Sequence, residues 1–89
     1  MRLHVAVRGR VQGVGFRWFV GELARRLDLA GWVRNRADGS VEVAADGDDH
    51  AVETLRAALG QGPHGAGVAS VDNLESISEQ LIKPFTITR

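Results

Sequence analysis

The sequence contains no cysteine and no long hydrophobic run. Without cysteine the chain has no disulfides, no thiolate zinc site and no cysteine nucleophile, and its redox compartment stays open. No segment approaches the roughly 20 apolar residues of a membrane-spanning helix, and the start of the chain lacks the apolar region of a signal peptide. We therefore expect a cytoplasmic protein with no membrane partner.

A net charge is also missing, since 11 basic side chains balance 11 acidic ones. A dedicated nucleic-acid binder carries a strong basic excess, so we expect no nucleic-acid partner. The charges are nevertheless segregated, because residues 1–36 hold eight arginines and two acids, whereas residues 37–89 hold three basic and nine acidic residues. Arginine suits phosphate and carboxylate oxygens better than lysine does, but a solvated arginine-rich surface explains this pattern equally well.

Length and composition predict one small globular domain. The chain has 89 residues, of which 44% are hydrophobic and 25% are charged, an ordinary balance for a globular protein. A chain of this size has room for one modest core. We expect a single domain over residues 1–89, present as a monomer.

Strands are predicted where apolar residues occupy every second position. Candidate strands cover residues 3–7, 31–36, 41–45, 68–74 and 85–88. Asp38-Gly39 is a tight-turn signal and predicts a hairpin between the second and third of these strands. Residues 75–84 show no clear pattern and are predicted to form a loop.

Two segments show helical spacing instead. The apolar positions of the first are Phe16, Phe19, Val20, Leu23 and Leu27, and those of the second are Ala51, Val52, Leu55 and Leu59. Gly31 lies where the chain should leave the first helix. Asp48 and Asp49 precede the second stripe, where acidic side chains suit the helix dipole.

The first four of these strands and the two helices follow the order β-α-β-β-α-β, which predicts the α+β class, and residues 85–88 add a short final strand. We expect a ferredoxin-like two-layer sandwich, in which both helices cover one face of an antiparallel sheet. Many unrelated functions use this fold, so the function has to be argued from the site.

Residues 9–15 form a glycine-rich turn between the first strand and the first helix. Glycine permits positive φ, so successive N–H groups of such a turn can converge on an anion, and the helix start adds further unpaired N–H groups. Arg17 lies in the first turn of this helix, beside that position. The segment is neither a Walker loop nor a dinucleotide fingerprint. From the residues alone, a phosphate site and a plain connector both remain open.

Two longer motifs and their separation closely resemble the acylphosphatase family. The first is Gly9-Arg10-Val11-Gln12-Gly13-Val14-Gly15-Phe16-Arg17, and the second is Gly31-Trp32-Val33-Arg34-Asn35-Arg36 followed by Asp38-Gly39-Ser40-Val41. The resemblance continues through the second helix, Gly62-Pro63 and Phe85-x-Ile87, so it covers nearly the whole chain. With this resemblance, the phosphate site is favoured over the connector.

The resemblance implies an enzyme that hydrolyses the carboxyl–phosphate bond of small acyl phosphates, without a metal ion or a cofactor. Arg17 and Asn35 would be the catalytic residues, the first binding the phosphate and the second holding the attacking water. The implied phosphate-binding segment consists of Gly9, Arg10, Val11, Gln12, Gly13, Val14, Gly15, Phe16 and Arg17. Inorganic phosphate would be the product and a competitive ligand.

Two alternative functions stay open. An RNA-binding domain of the same fold stacks bases on two or three aromatic residues of its open sheet face, but Trp32 is the one aromatic residue expected there. An acylphosphatase-like binding module, or one that handles carbamoyl phosphate in carbamoyltransferase-type maturation proteins, would keep both motifs. The chain shows no following domain, so we expect a free-standing enzyme.

Some conspicuous residues are not assigned to the site. The three histidines have no metal-ligand spacing. Trp18 and Trp32 could frame a hydrophobic acyl group, but packing in the core or on the sheet accounts for them at least as well. The side chains of Arg10 and Arg34 could draw in an anionic substrate, but neither is expected to be catalytic.

Overall fold

The computed structural model describes all of residues 1–89. Its elements are β1 (Arg2–Arg10), α1 (Phe16–Arg26), β2 (Ala30–Asn35), β3 (Val41–Asp46), α2 (Asp49–Leu59), β4 (Gly67–Asn73) and β5 (Thr86–Thr88). Neither helix combines the length and the apolar character needed to cross a membrane.

The five strands form one sheet in the order β4-β1-β3-β2-β5. The three pairs β4–β1, β1–β3 and β3–β2 are antiparallel, as expected for the ferredoxin-like fold, but β5 pairs parallel with β2. The predicted fold class is confirmed, and the sheet as a whole is mixed rather than purely antiparallel. The added parallel strand follows from the connection after β4, which carries the chain from one edge of the sheet to the other.

The main core lies between the sheet and the two helices. Its sheet side consists of alternate residues of the central strands, because successive side chains of a strand point to opposite faces. Seventeen buried residues form this cluster. The helices and the segment before β5 contribute the largest of them, which include Phe16, Leu55, Leu59 and Phe85.

Helix α1 packs on the sheet through a face that differs slightly from the predicted stripe. Phe16 and Val20 are buried as predicted, together with Gly21 and Ala24. Gly21 permits close packing on β5, because an added Cβ would lie 2.7 Å from Cγ1 of Ile87. The other predicted positions are only partly buried against the core: Phe19, Leu23 and Leu27.

The C-terminal end of α1 is formed without a glycine. Leu29 N–H donates to the carbonyl of Ala24 and Asp28 N–H donates to that of Arg25, both at 3.0 Å. Asp28 adopts a left-handed backbone conformation with φ 57°. This is the Schellman arrangement, in which glycine usually occupies the left-handed position.

The prediction that the chain leaves α1 at Gly31 is therefore wrong. Gly31 lies inside β2, with φ 135°. A Cβ at this position would lie 1.9 Å from the carbonyl oxygen of Ala44 on β3. The glycine is required by this close approach of two strands and not by the helix end.

Helix α2 follows the sequence prediction closely. All four residues of its predicted apolar stripe are buried, namely Ala51, Val52, Leu55 and Leu59. Asp48 caps the helix, since its side chain accepts a hydrogen bond from Ala51 N–H at 3.2 Å. Asp49 adds an acidic side chain in the first turn, where the helix dipole favours it.

Residues 75–84 form the predicted loop, which crosses the sheet face opposite the helices. Leu81 is buried there against Ala30 and Ala44. Gly31 N–H donates to the carbonyl of Ile82 at 3.0 Å, which attaches the loop to β2. This face of the sheet is therefore partly covered and not open.

Candidate active site

The glycine-rich turn places backbone N–H groups at the start of α1. Gly13 and Gly15 have φ values of 77° and 78°, which L side chains rarely adopt. Gly15 is the N-cap of α1, and no side chain caps this helix end. The first N–H groups of a helix have no intrahelical partner, so those of the first turn remain available to an anion.

Gly9 fixes the entry into this turn. It has φ 123° and follows a register shift between β1 and β4 at Arg8 and Gly9. An added Cβ would lie 2.2 Å from the carbonyl oxygen of Gly67. The glycine thus allows β1 to bend close to β4 before the turn begins.

Arg17 lies in the first turn of α1 and is half-buried. Its Nη1 donates to the carbonyl of Thr88 on β5 at 3.2 Å. No acidic side chain forms an ion pair with it. The guanidinium is therefore oriented by a neutral carbonyl and keeps its charge and most of its donors for a ligand.

Asn35 ends β2 and is half-buried. Its neighbour Arg34 pairs with Thr88 of β5 in the parallel register, so the strand that orients Arg17 also borders the end of β2. The pairing of β5 with β2 thus brings together Arg17 and Asn35, which are 18 positions apart in the sequence.

A cleft of about 700 Å³ contains both residues. Its lining consists of Val11, Gly13, Gly15, Phe16, Arg17, Trp18, Asn35, Ile87 and Arg89. The lining includes two arginines and no acidic side chain. Such a cleft suits an anion, because its side chains contribute positive and no negative charge.

Gln12 connects the glycine-rich turn to the β2–β3 hairpin. Its Nε2 donates to the carbonyls of Arg36 and Ser40, at 2.8 and 2.9 Å. Both hydrogens of the amide are thereby used. The side chain of Gln12 holds the turn against the strand end that carries Asn35, and it does not line the cleft.

Asp38 stabilises the hairpin turn itself. Its Oδ1 accepts from the N–H of Ser40 at 3.0 Å and from the hydroxyl of Ser40 at 2.6 Å. Its Oδ2 accepts from Arg8 Nη1 at 3.1 Å. The hydrogen bonds from Ser40, followed by that from Arg8, hold the pKa of Asp38 well below its usual range.

A model of the acylphosphatase family matches residues 3–87 of this chain. The chain belongs to the acylphosphatase family. The acylphosphatase of Koribacter versatilis is 51% identical over 81 residues, which cover 91% of this chain and 74% of that protein. The solved structure of an acylphosphatase from Coxiella burnetii has a TM-score of 0.88 at 38% identity, and the match covers 98% of this chain and 90% of that one. The predicted family and the expectation of an enzyme of the hydrolase class are confirmed.

The acylphosphatase fold also occurs within a much longer protein. HypF from T. kodakarensis matches with a TM-score of 0.84 at 29% identity, and the match covers 99% of this chain but 12% of HypF. Family membership is thus compatible with a free-standing enzyme and with a module of a larger protein. The single domain over residues 1–89 stays a prediction.

The predicted site residues of this acylphosphatase fall into two groups. Those that line the cleft are Val11, Gly13, Gly15, Phe16, Arg17 and Asn35. Those that do not are Gly9, Arg10, Gln12 and Val14. Arg10 is exposed, and Val14 packs against the core.

Arg34 and Trp32 lie on the opposite face of the sheet. The guanidinium of Arg34 stacks 4.7 Å from the ring centre of Trp32, and its Nε donates to Glu42 Oε1 at 2.8 Å. His4 Nε2 lies 2.6 Å from the other oxygen of Glu42. The positive charge of Arg34 is thus neutralised by Glu42, and its side chain does not line the cleft.

Sequence reasoning did not assign three residues that line the cleft: Trp18, Ile87 and Arg89. Trp18 carried a signal, since it is an apolar residue off the predicted stripe of α1 and directly follows Arg17. Ile87 and Arg89 carried none, because their position depends on the pairing of β5 with β2.

Proposed function

We propose that this protein hydrolyses acyl phosphates to a carboxylate and inorganic phosphate, without a metal ion, in the cleft at the start of α1. One observation carries the proposal: Arg17 and Asn35 line the same cleft, next to an uncapped helix N-terminus and with no acidic side chain in the wall. Membership of the acylphosphatase family supports it.

Arg17 and the backbone N–H groups around Gly13 and Gly15 bind the phosphate in this proposal. Arginine forms two parallel charge-assisted hydrogen bonds with phosphate oxygens, and helix N-terminal N–H groups take the remaining oxygens. Phosphoryl transfer asks the protein mainly for positioning and for stabilisation of charge on these oxygens. The carbonyl of Thr88 holds Arg17 in place before the substrate arrives.

Asn35 orients the attacking water. Its amide oxygen accepts a hydrogen bond from the water without bringing a negative charge next to the substrate. A carboxylate at this position would repel the phosphate. The cleft contains no strong general base, since the lining has no histidine and no acidic side chain.

The reaction needs no further group. The water oxygen forms a bond to phosphorus while the bond from phosphorus to the acyl oxygen breaks, and the carboxylate leaves with the electron pair. A phosphate oxygen takes the proton of the water. Arg17 and the N–H groups stabilise the charge that spreads over the equatorial oxygens during this displacement.

Two variants test the assignment with benzoyl phosphate as substrate and excess chelator throughout. Arg17→Ala should lose turnover and the binding of inorganic phosphate, which equilibrium titration measures. Asn35→Ala should lose turnover but keep phosphate binding. Arg26→Ala is the matched control, because Arg26 is exposed on α1 outside the cleft and should behave like the parent.

Several results would contradict the proposal. Near-normal turnover by Asn35→Ala would reject the water-holding role, and loss of parent activity in chelator would reject the metal-free mechanism. Turnover of p-nitrophenyl phosphate in place of benzoyl phosphate would reject the substrate class. Hydrolysis of carbamoyl phosphate and binding of single-stranded RNA at low salt are measured as well. Tight RNA binding would favour the RNA-binding alternative.

A further inference from the structure

We propose that Trp18, together with Ile87, forms the wall that binds the acyl group, and that the enzyme prefers acyl phosphates with an extended apolar or aromatic acyl group. This inference rests on the proposed function, because it concerns the part of the same substrate that the phosphate site does not contact.

The exposure of Trp18 has no structural explanation within the chain. Trp18 is 64% exposed, although tryptophan has the largest apolar surface of all side chains. The aromatic pairs and the cation–π contact of the molecule involve other residues. Exposed apolar surface that is concentrated at one place marks a binding site.

Two of the four large hydrophobic side chains that remain exposed line the cleft. The large hydrophobic side chains that remain exposed are Met1, Trp18, Ile82 and Ile87. Trp18 and Ile87 both line the cleft, and they come from different elements, α1 and β5. Folding thus brings exposed apolar surface of Trp18 and Ile87 to the cleft that contains Arg17.

The position of Trp18 on α1 explains why it faces the cleft. Phe16 points into the core with 1% exposure. Trp18 is two residues later, about 200° further around the helix axis, and therefore points away from the core. Because Arg17 and Trp18 line the same cleft, a group that is bonded to a phosphate on Arg17 can reach the indole.

The cleft has room for more than a phosphate. Its volume of about 700 Å³ falls within the range of pockets that hold small organic ligands. The polar groups of Arg17 and Asn35 occupy one part of the lining. Four of the nine lining residues are hydrophobic, and of these Trp18 and Ile87 are exposed, which suits an apolar substituent.

The test compares substrates whose acyl chains differ in length but whose leaving carboxylates do not differ in basicity. Acetyl and hexanoyl phosphate serve here, because their leaving carboxylates have nearly equal basicity. For Trp18→Ala, we expect kcat/KM to fall about tenfold with hexanoyl phosphate and by less than about twofold with acetyl phosphate, since binding of apolar groups scales with their size. Trp18→Phe should retain most of the preference.

Controls separate the acyl wall from the phosphate site and from the fold. The inhibition constant of inorganic phosphate should be the same in Trp18→Ala and the parent. Ile82→Ala is the matched control, because Ile82 is 66% exposed but lies outside the cleft. Thermal unfolding of each variant shows whether the fold is intact.

The outcomes are distinct. An equal loss with both substrates, or no loss with either, would reject the acyl wall while leaving the proposed function in place. A parent protein that hydrolyses neither substrate in chelator would reject the proposed function itself. Substrate-dependent loss in Trp18→Ala with unchanged phosphate inhibition would support the inference.

Discussion

At the scale of single residues, the geometry of the candidate site depends on side chains that do not line the cleft. Gln12 belongs to the glycine-rich turn, yet its side-chain NH2 group donates to the carbonyls of Arg36 and Ser40. Asp38 fixes the same hairpin through Ser40 and Arg8. The distance between the glycine-rich turn and Asn35 is thus set by hydrogen bonds of side chains outside the cleft lining.

Gln12→Ala should therefore lower activity and stability together. Removing the two hydrogen bonds should cost about 1–2 kcal/mol of unfolding free energy, and misplacing the turn should lower kcat/KM more than it lowers phosphate affinity. Urea denaturation and steady-state kinetics measure these effects. Gln61→Ala, at an exposed loop position, is the control and should change neither. Normal kcat/KM in Gln12→Ala would show that the turn keeps its place without this side chain.

At the scale of elements, sequence patterns predict those features of a helix, strand or turn that depend on residues close in the sequence. The apolar stripe of α2 and the acidic residues at its start follow from spacing within twelve residues, and the structure reproduces them. The glycine-rich turn and Arg17 also form a local pattern. Gly31 was misassigned because its requirement comes from Ala44 on another strand. The exposure of Trp18 and the position of Ile87 likewise depend on tertiary packing.

The end of α1 offers a test of a purely local effect. Asp28 holds the left-handed position of the Schellman arrangement at φ 57°. Glycine adopts this conformation without strain, so Asp28→Gly should raise the unfolding free energy by about 0.5–1 kcal/mol. The exposed ion pair of Asp28 with Lys83 at 2.8 Å contributes little and should offset only part of this gain.

Asp28→Ala is the comparison for this prediction. Alanine loses the same ion pair but tolerates left-handed φ less well than aspartate does, so this variant should be less stable than the parent. Urea denaturation of the three proteins measures the order. If Asp28→Ala were as stable as Asp28→Gly, backbone strain would not limit this helix end.

At the scale of the whole molecule, one buried carboxylate joins three strands. Glu42 on β3 accepts from Arg34 on β2 and lies 2.6 Å from His4 on β1. Burial raises the pKa of Glu42, but the hydrogen bonds from His4 and Arg34 outweigh burial, so the pKa is lowered overall. The carboxylate is therefore more stable in the folded protein than in the unfolded chain.

This shift predicts how stability depends on pH. A group with a depressed pKa in the folded state stabilises the protein above its unfolded pKa, and this contribution is lost as pH falls through the folded pKa. The unfolding free energy should therefore decline below about pH 4.3. Glu42→Gln should be less stable at pH 7 and should show a flatter decline, as measured by urea denaturation. Glu53→Gln, on the exposed side of α2, should follow the parent profile. Identical slopes for Glu42→Gln and the parent would contradict this role.

Because β5 contributes Ile87 to the cleft, ligand binding there depends on the fraction of molecules in which β5 is paired with β2. This strand has three residues and is hydrogen-bonded on one side only, and such edge segments open at free energies far below that of global unfolding. Each opening releases Arg17 from Thr88 and withdraws Ile87 from the cleft. The apparent affinity for any phosphate ligand then equals the intrinsic affinity multiplied by the fraction of molecules with β5 closed. Ligand binding and closure of this strand are thus thermodynamically linked, so saturating phosphate should protect the amides of β5 from hydrogen exchange.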